Sequence, residues 1–321
     1  MISVYNKTTT GTFSHDVIKG LSAPQKYLDS KYFYDAAGDV LFQQIMQCHE
    51  YYLTNCEMEI LATQSAAIAA AFDKFAGEYD VVELGAGDAT KSQHLLKQLL
   101  DNGKDYTYFP IDISSNVIRQ LENNLPGILP GLQLKGLNGE YFEMLQQAND
   151  YTSKNKILLF MGSNIGNFTV TAARNFCQQL RSYMQPGDLL LAGFDLKKHP
   201  QVILSAYNDS AGITRAFNLN LLKRINRELH ADFKLSAFEH FPVYDPATGA
   251  CKSYLVSLEN QVVHIDGKAF TFREHETLYM EISQKYTLEE TEQLAAQSGF
   301  KPVACFMDSK KWFADCLWKC I

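Results

Sequence analysis

Apolar residues fall along this chain in two rhythms. Between residues 57 and 195, short apolar runs alternate with stretches whose apolar positions recur every three or four residues. Tyr79–Leu84, Tyr106–Ile113, Leu132–Leu137, Lys156–Met161 and Leu189–Phe194 predict strands. Lys156–Met161 and Leu189–Phe194 barely alternate, as expected where both faces of a strand are covered. Glu57–Ala76, Thr90–Leu100 and Ala172–Met184 predict helices. Ser114-Ser115 reads as a helix N-cap, and Gln185–Asp188 as a turn. This alternation implies a doubly wound parallel sheet. After Asp195 the rhythm changes. Pro200–His230 is helical in period. Cys251–Leu258, Gln261–Asp266, Phe270–Glu274 and Thr277–Tyr286 have strand character, with Asp266-Gly267 as a hairpin turn. Leu288–Ser298, capped by Thr287, returns to helix. Pro302–Met307 and Lys311–Trp318 form a closing strand pair. The expected division is therefore residues 1–60 as the N-terminal part of a lobe, 61–195 as an α/β core, 196–286 as an inserted α+β lobe, and 287–321 completing the core.

Composition narrows the partners. The net charge of -7 argues against nucleic acid, because phosphate binding needs a basic face. No apolar run is long enough to span a bilayer. Met1–Phe13 shows no basic segment followed by an apolar one, so no secretory signal is expected. Seven cysteines are scattered without a CxxC pair, which favours reduced thiols in a cytoplasmic protein. No metal site is expected.

The segment Val81-Val82-Glu83-Leu84-Gly85-Ala86-Gly87-Asp88 carries the first candidate chemistry. A strand, a glycine turn and a helix start make a nucleotide cradle, although tight strand–helix turns also use glycine for structural reasons alone. A dinucleotide fingerprint wants a third glycine where Thr90 stands. Glu83 before the turn suits a ligand with a cationic end, such as S-adenosylmethionine (SAM). Asp112 follows Gly87 by 25 positions and suits ribose hydroxyls, or else caps the next helix. Glu140-Tyr141 offers a carboxylate and a ring to an adenine. Phe160–Phe168 ends a buried strand in small and amide residues. Asn167 there either orients an amine or carboxylate, or only shapes a turn. Tyr32, Phe33, Tyr34, Tyr51 and Tyr52 are core aromatics or a site for an alkylated ammonium. Period two puts Tyr279, Glu281 and Ser283 on one strand face, either solvated or a binding wall.

From about Leu21 to the C-terminus the chain resembles the SAM-dependent amino-acid N-methyltransferases that include the ergothioneine-pathway L-histidine Nα-methyltransferases. The likeness rests on Lys31-Tyr32-Phe33-Tyr34-Asp35, Leu41-Phe42, Glu50-Tyr51-Tyr52 and Glu83-Leu84-Gly85-Ala86-Gly87. It continues through Gly162-Ser163-Asn164-Ile165-Gly166-Asn167, Ala206-Tyr207-Asn208-Asp209 and Thr214-Arg215-Ala216-Phe217-Asn218. Asn226-Arg227-Glu228-Leu229, Phe238-Glu239-His240 and Glu281-Ile282-Ser283 complete it.

The resemblance implies a Rossmann-like methyltransferase core, mostly parallel and seven-stranded, with an inserted substrate-binding lobe. It implies that Gly85, Lys91, Asp112, Glu140 and Tyr141 contact SAM, beside Glu83 and Gly87 of the turn. Tyr51, Asn167, Tyr207, Glu281 and Ser283 would hold the amino acid. Asn167 and Tyr207 suit its amino and carboxylate end; Glu281 and Ser283, with Tyr51, suit an imidazole. Tyr34 would lie near the methylated nitrogen, and Tyr34 and Asn167 would be the catalytic pair. One departure is Ser253, where the histidine enzymes have a methionine lining the ring pocket. The implied reaction is methylation of the α-amino group of L-histidine, in three steps, to the betaine hercynine, with S-adenosyl-L-homocysteine (SAH) as coproduct. Another aromatic amino acid or amine as acceptor, or a non-catalytic SAM or amino-acid sensor, is the alternative. A monomer is expected.

Overall fold

The computed structural model describes residues 10–321; the first nine residues, which hold most of the stretch read for a secretory signal, lie outside the described residues. Helices α1 (Thr10–Leu21) and α2 (Ala36–Gln47) come first, and the long α3 (Tyr52–Ala76) leads into β1 (Tyr79–Leu84). There follow α4 (Ser92–Asp101), β2 (Thr107–Asp112), α5 (Ser115–Ile128), β3 (Gln133–Leu134), β4 (Leu137–Asn138), α6 (Tyr141–Tyr151), β5 (Asn155–Phe160), α7 (Val170–Ser182) and β6 (Leu189–Asp195). Next come α8 (Pro200–Ala206), α9 (Ile213–Leu229), β7 (Phe238–Asp245), β8 (Ala250–Ser257), β9 (Gln261–Ile265), β10 (Lys268–Phe272) and β11 (Thr277–Gln284). α10 (Leu288–Gln297), β12 (Phe300–Met307) and β13 (Phe313–Cys320) close the chain.

Two compact units result. The first holds Leu53–Lys197 and Gln284–Ile321; the second holds Lys198–Ser283 and, of the described residues, 10–52. The main sheet of the first unit runs β12–β13–β6–β5–β1–β2, with β3 and β4 both pairing β2 at the far edge. Counting that edge once gives seven positions. β1, β2, β5 and β6 are mutually parallel, while β13 is antiparallel to both of its neighbours. Every residue of β1 and β6 is buried. Burial on both faces explains why these strands read as apolar runs rather than alternating ones. Lys156 is the charged exception in β5. It is buried beside Asp188, whose carboxylate lies 3.5 Å from the ammonium and accepts the Lys156 N–H at 2.8 Å.

The caps expected from sequence are present. Ser114 accepts the Val117 N–H, and Thr287 and Glu290 form a reciprocal capping box at the start of α10. Three expectations shift. The single strand over Leu132–Leu137 splits at Lys135-Gly136, because the backbone passes so close to α5 that a Cβ on Gly136 would meet Ile118 Cγ2 at 2.4 Å. The last strand starts at Phe313 rather than Lys311, because the Asp308 carboxylate gathers the N–H groups of Trp312 and Phe313 and holds a turn. The helix expected over Pro200–His230 breaks into two, where Gly212 takes φ +72° and Asp209 accepts the Ile213 and Thr214 N–H groups.

In the second unit β11, β8 and β7 form one small sheet, and β9 and β10 form a hairpin through Asp266-Gly267. α9 packs Phe217, Leu221, Leu222, Ile225 and Leu229 into a core with Phe238, Leu255, Phe272, Leu278 and Met280. The pattern reading left β7 out. Its inward positions include His240 and Pro242, while Phe241 and Val243 face outward, so the usual alternation is inverted.

Gly193 on β6 tests the packing of the sheet. A Cβ there would lie 2.5 Å from Glu57 Oε1 and 3.1 Å from the Phe313 ring. Gly193→Ala is expected to cost about 1–3 kcal/mol, read as a lower midpoint in chemical denaturation. An unchanged midpoint would show that α3 yields freely.

Candidate active site

Several polar groups of the first unit lie at the carboxyl ends of its parallel strands, where open α/β sheets bind ligands. After β1 the chain turns through Gly85 (φ +71°) and Gly87 (φ +55°), left-handed positions that glycine adopts without strain. A Cβ on Gly85 would meet the Tyr141 hydroxyl at 2.8 Å, while one on Gly87 would meet nothing within 4 Å. The turn is thus tight against α6 on one side and open on the other. Asp112, at the end of β2, accepts the Ser114 N–H at 2.9 Å and the Gly87 N–H at 3.3 Å. Burial raises its carboxyl above the usual range, against the pull of those N–H groups. Glu140 and Tyr141 start α6, and the Tyr141 ring stands edge-on to Phe160 at 6.2 Å.

Glu83 lies elsewhere than expected. It is buried inside the core, where its carboxyl accepts the Tyr108 hydroxyl and also bonds Ser92. Burial pushes it up to about 7, partly offset by those bonds. Its role visible here is to join β1 to β2 and α4, rather than to offer a charge to a ligand.

Lys91, just before α4, pairs with Glu57 of α3. Burial disfavours its charge, yet the Glu57 carboxylate outweighs this and raises it. Glu57 Oε1 also accepts the Gly162 N–H at 2.7 Å. Cβ atoms built on Gly85 and Gly162 would both lie 3.6 Å from Asn164 Nδ2, and the Gly162 one 3.7 Å from Lys91 Nζ. The ends of β1 and β5 and the start of α4 therefore meet around one ammonium. The sequence reading missed Glu57. Its signal was an acid at helical spacing from the apolar Leu53, Ile60 and Leu61. Asn167 is exposed at the end of the short 3-10 turn Asn164–Asn167 that follows β5.

The second unit brings together residues far apart in sequence. Tyr34 meets Phe42 (5.6 Å), Phe42 meets Tyr51 (6.4 Å) and Tyr51 meets Tyr207 (6.3 Å), each pair edge to face. The Tyr207 hydroxyl donates to Ser283 Oγ at 2.7 Å. Glu281 is half-buried on the same strand. Its charge is one of the causes that, behind burial, push Tyr279 up to about 12. Ser253 is placed differently from the ring wall expected. It pairs across to Pro242 and is buried, whereas the next residue, Tyr254, points to the other face and meets the Tyr279 ring at 5.8 Å.

The strand order, the antiparallel β13 and the glycine turn at the carboxyl edge define a Rossmann-like methyltransferase core. A sequence profile of the histidine-specific, SAM-dependent methyltransferases matches residues 13–320, and the chain belongs to that family. It is 35% identical over 295 residues to the Histidine N-alpha-methyltransferase of Mycolicibacterium smegmatis, covering 91% of this chain and 90% of that one. Identity to the Histidine N-alpha-methyltransferase of Mycobacterium tuberculosis is 32% over 302 residues, or 94% and 90% of the two chains. The Ergothioneine biosynthesis protein 1 of Neurospora crassa is 29% identical over 287 residues, which span 87% of this chain and 32% of that longer protein.

The donor set fits SAM. A glycine cradle is closed to a side chain at Gly85, a carboxylate stands at the end of the next strand and an ammonium just before α4, without the third glycine that a pyrophosphate would want. Gly85→Ala would add a Cβ against Tyr141 at a left-handed backbone position. SAH affinity measured by calorimetry should fall by about tenfold or more, equivalent to at least about 1.4 kcal/mol. Wild-type affinity in this variant would mean that the turn does not touch the cofactor.

Proposed function

We propose that this protein moves methyl groups from SAM to the α-amino nitrogen of L-histidine, three in succession, and so makes hercynine and SAH. The observation that carries the reading is the run Tyr34–Phe42–Tyr51–Tyr207–Ser283 in the second unit, within a chain of this family. When bound, SAM supplies a methyl group already activated on a sulfonium. The protein then has to bind, orient and exclude.

In this reading Gly85, Gly87, Asp112, Glu140 and Tyr141 hold the adenosine, and Lys91 holds the carboxylate at the methionine end. Asn167 and Tyr207 orient the amino-acid end. Glu281 and Ser283 read the imidazole, since a carboxylate accepts a ring N–H and a hydroxyl can donate or accept. The amine attacks as the neutral form, and its proton leaves to water near Tyr34. Tyrosine faces accommodate the growing methylammonium by cation–π attraction, about 0.5–2 kcal/mol per contact. A carboxylate at that point would instead tie down one N–H direction. No helix among the described residues is long and apolar enough to cross a membrane. All seven cysteines are free thiols, which supports a cytoplasmic setting.

Mass spectrometry of the product from histidine and excess SAM should show the trimethylated species accumulating; monomethylhistidine as the end product would overturn the three-step claim. Glu281→Ala should raise the histidine KM about tenfold or more, the scale of one lost charged hydrogen bond, with SAH affinity moving far less. An unchanged KM would remove Glu281 from the ring pocket.

A further inference from the structure

Asp315 is a buried carboxyl of the first unit that the reading above does not use. It sits on β13 opposite Gly193 of β6, in the run Phe313-Ala314-Asp315-Cys316-Leu317-Trp318, and is fully buried. Neither of its oxygens has a hydrogen-bond partner among the described residues. Gly193 is also the position where a Cβ would meet Glu57. The groups that act on Asp315 are Glu57 of α3, Lys91 before α4 and Cys305 of β12, while the Cys316 thiol neighbours it on its own strand. Two carboxyls and one ammonium thus share a dry corner behind the ends of β5 and β6.

Both carboxyls cannot be charged there at low cost. Each isolated charge in a dry interior costs several kcal/mol, and like charges nearby add to it. Glu57 has the better claim to the charge, because it holds the Lys91 ammonium and the Gly162 N–H. Asp315 has no donor among the described residues. Burial first, and then the Glu57 charge, keep its carboxyl well above the ordinary range.

We propose that Glu57 and Asp315 are positioning residues for the cofactor: Glu57 aims Lys91 at the cofactor carboxylate, and Asp315 stays a neutral acid so that it does not compete for that ammonium. This rests on the cofactor reading above. One of the three Lys91 donors goes to Glu57, which fixes the ammonium from one side and leaves two donors for a ligand. A charged Asp315 would pull Lys91 into the core and weaken it as a ligand group. The unfolded chain ionises Asp315 near the ordinary value, whereas the folded chain keeps its proton to much higher pH. Its contribution to stability is therefore fully present below the ordinary value and is lost as pH rises toward the folded one.

Two measurements test this. The melting temperature of Asp315→Asn, minus that of the wild type, should climb between pH 5.5 and 8.5, by roughly 1–3 °C per pH unit. A flat difference would mean that Asp315 is charged in the fold, and would overturn the proposal. Calorimetric SAH titration should show Glu57→Gln weakening binding by about tenfold or more, but by less than about threefold in a Lys91→Gln background. Equal losses in both backgrounds would show that Glu57 does not act through Lys91, and would likewise overturn it. If Glu57→Gln does not fold, Glu57→Asp takes its place, since it keeps the charge but shortens its reach to Lys91. The same loss of SAH affinity, absent in the Lys91→Gln background, is then expected, and equal losses in both would overturn the proposal. The Asp315 arm needs no ligand, so a wild type that binds no SAH would sink the cofactor reading and still leave the charge of Asp315 decided.

Discussion

The carboxylate of Glu57 ties the ligand-facing edge of the sheet together. It comes from α3, a helix that precedes the sheet in sequence, and fills the space that Gly193 leaves on β6. One oxygen takes the Gly162 N–H after β5, and the carboxylate holds the Lys91 ammonium before α4. Removing one partner of such a buried pair typically costs about 3–5 kcal/mol, because the other is left charged in a dry site. The glycines at 162 and 193 follow from this. A side chain at Gly193 would occupy the carboxylate's place, and a left-handed turn at Gly162 (φ +74°) brings its N–H within reach.

The rest of the first unit obeys the same constraint. Apart from Asp315, the charged side chains buried in these strands have partners, and most of those pairs lie at the strand ends. Lys156 and Asp188 close the amino ends of β5 and β6, and Lys285 and Asp195 pair at 2.6 Å at the carboxyl end of β6, both fully buried. Glu83 is bonded to Tyr108 within the core. What remains at the carboxyl edge is the glycine turn, Asp112, Tyr141 and Lys91. That set suits a ligand with a ribose and a carboxylate, and no phosphate.

The second unit works by different physics. Its acceptor candidates are joined mainly by ring edges and one hydroxyl pair rather than by buried ions. Tyr34, half exposed, ends the aromatic run, and Tyr207 with Ser283 ends it on the other side. Aromatic walls are tolerant of charge growth on a nitrogen, since the ring faces attract a cation without fixing one hydrogen-bond direction. Cofactor candidates are thus carried by one unit, and all the acceptor candidates but Asn167 by the other.

Much of this was legible in the amino-acid order. Period and run length placed most strands of the sheet, because burial on both faces demands continuous apolar residues, and the caps at Ser114 and Thr287 are local chemistry. The glycine turn and Asp112 were readable because a strand end followed by a left-handed turn has few sequence solutions. The break at Gly136, the strand β7 and the split between α8 and α9 were not, since each depends on a neighbour packed from elsewhere. Whether a carboxyl faces ligand or core is likewise invisible in sequence. Glu83, read as facing a cation, turns to Tyr108, and Ser253 faces inward beside Pro242. Glu57, one helical turn from the apolar Leu53, Ile60 and Leu61, and Asp315, within the run 313–318, were not singled out in the sequence at all. Sequence determined most of the elements and the sheet, which follow from local period and turn chemistry, and the class of cofactor through the glycine turn and the family resemblance. Tertiary structure alone decided which charges meet, because a charge's partner is set by packing between segments that lie tens of residues or more apart in the chain.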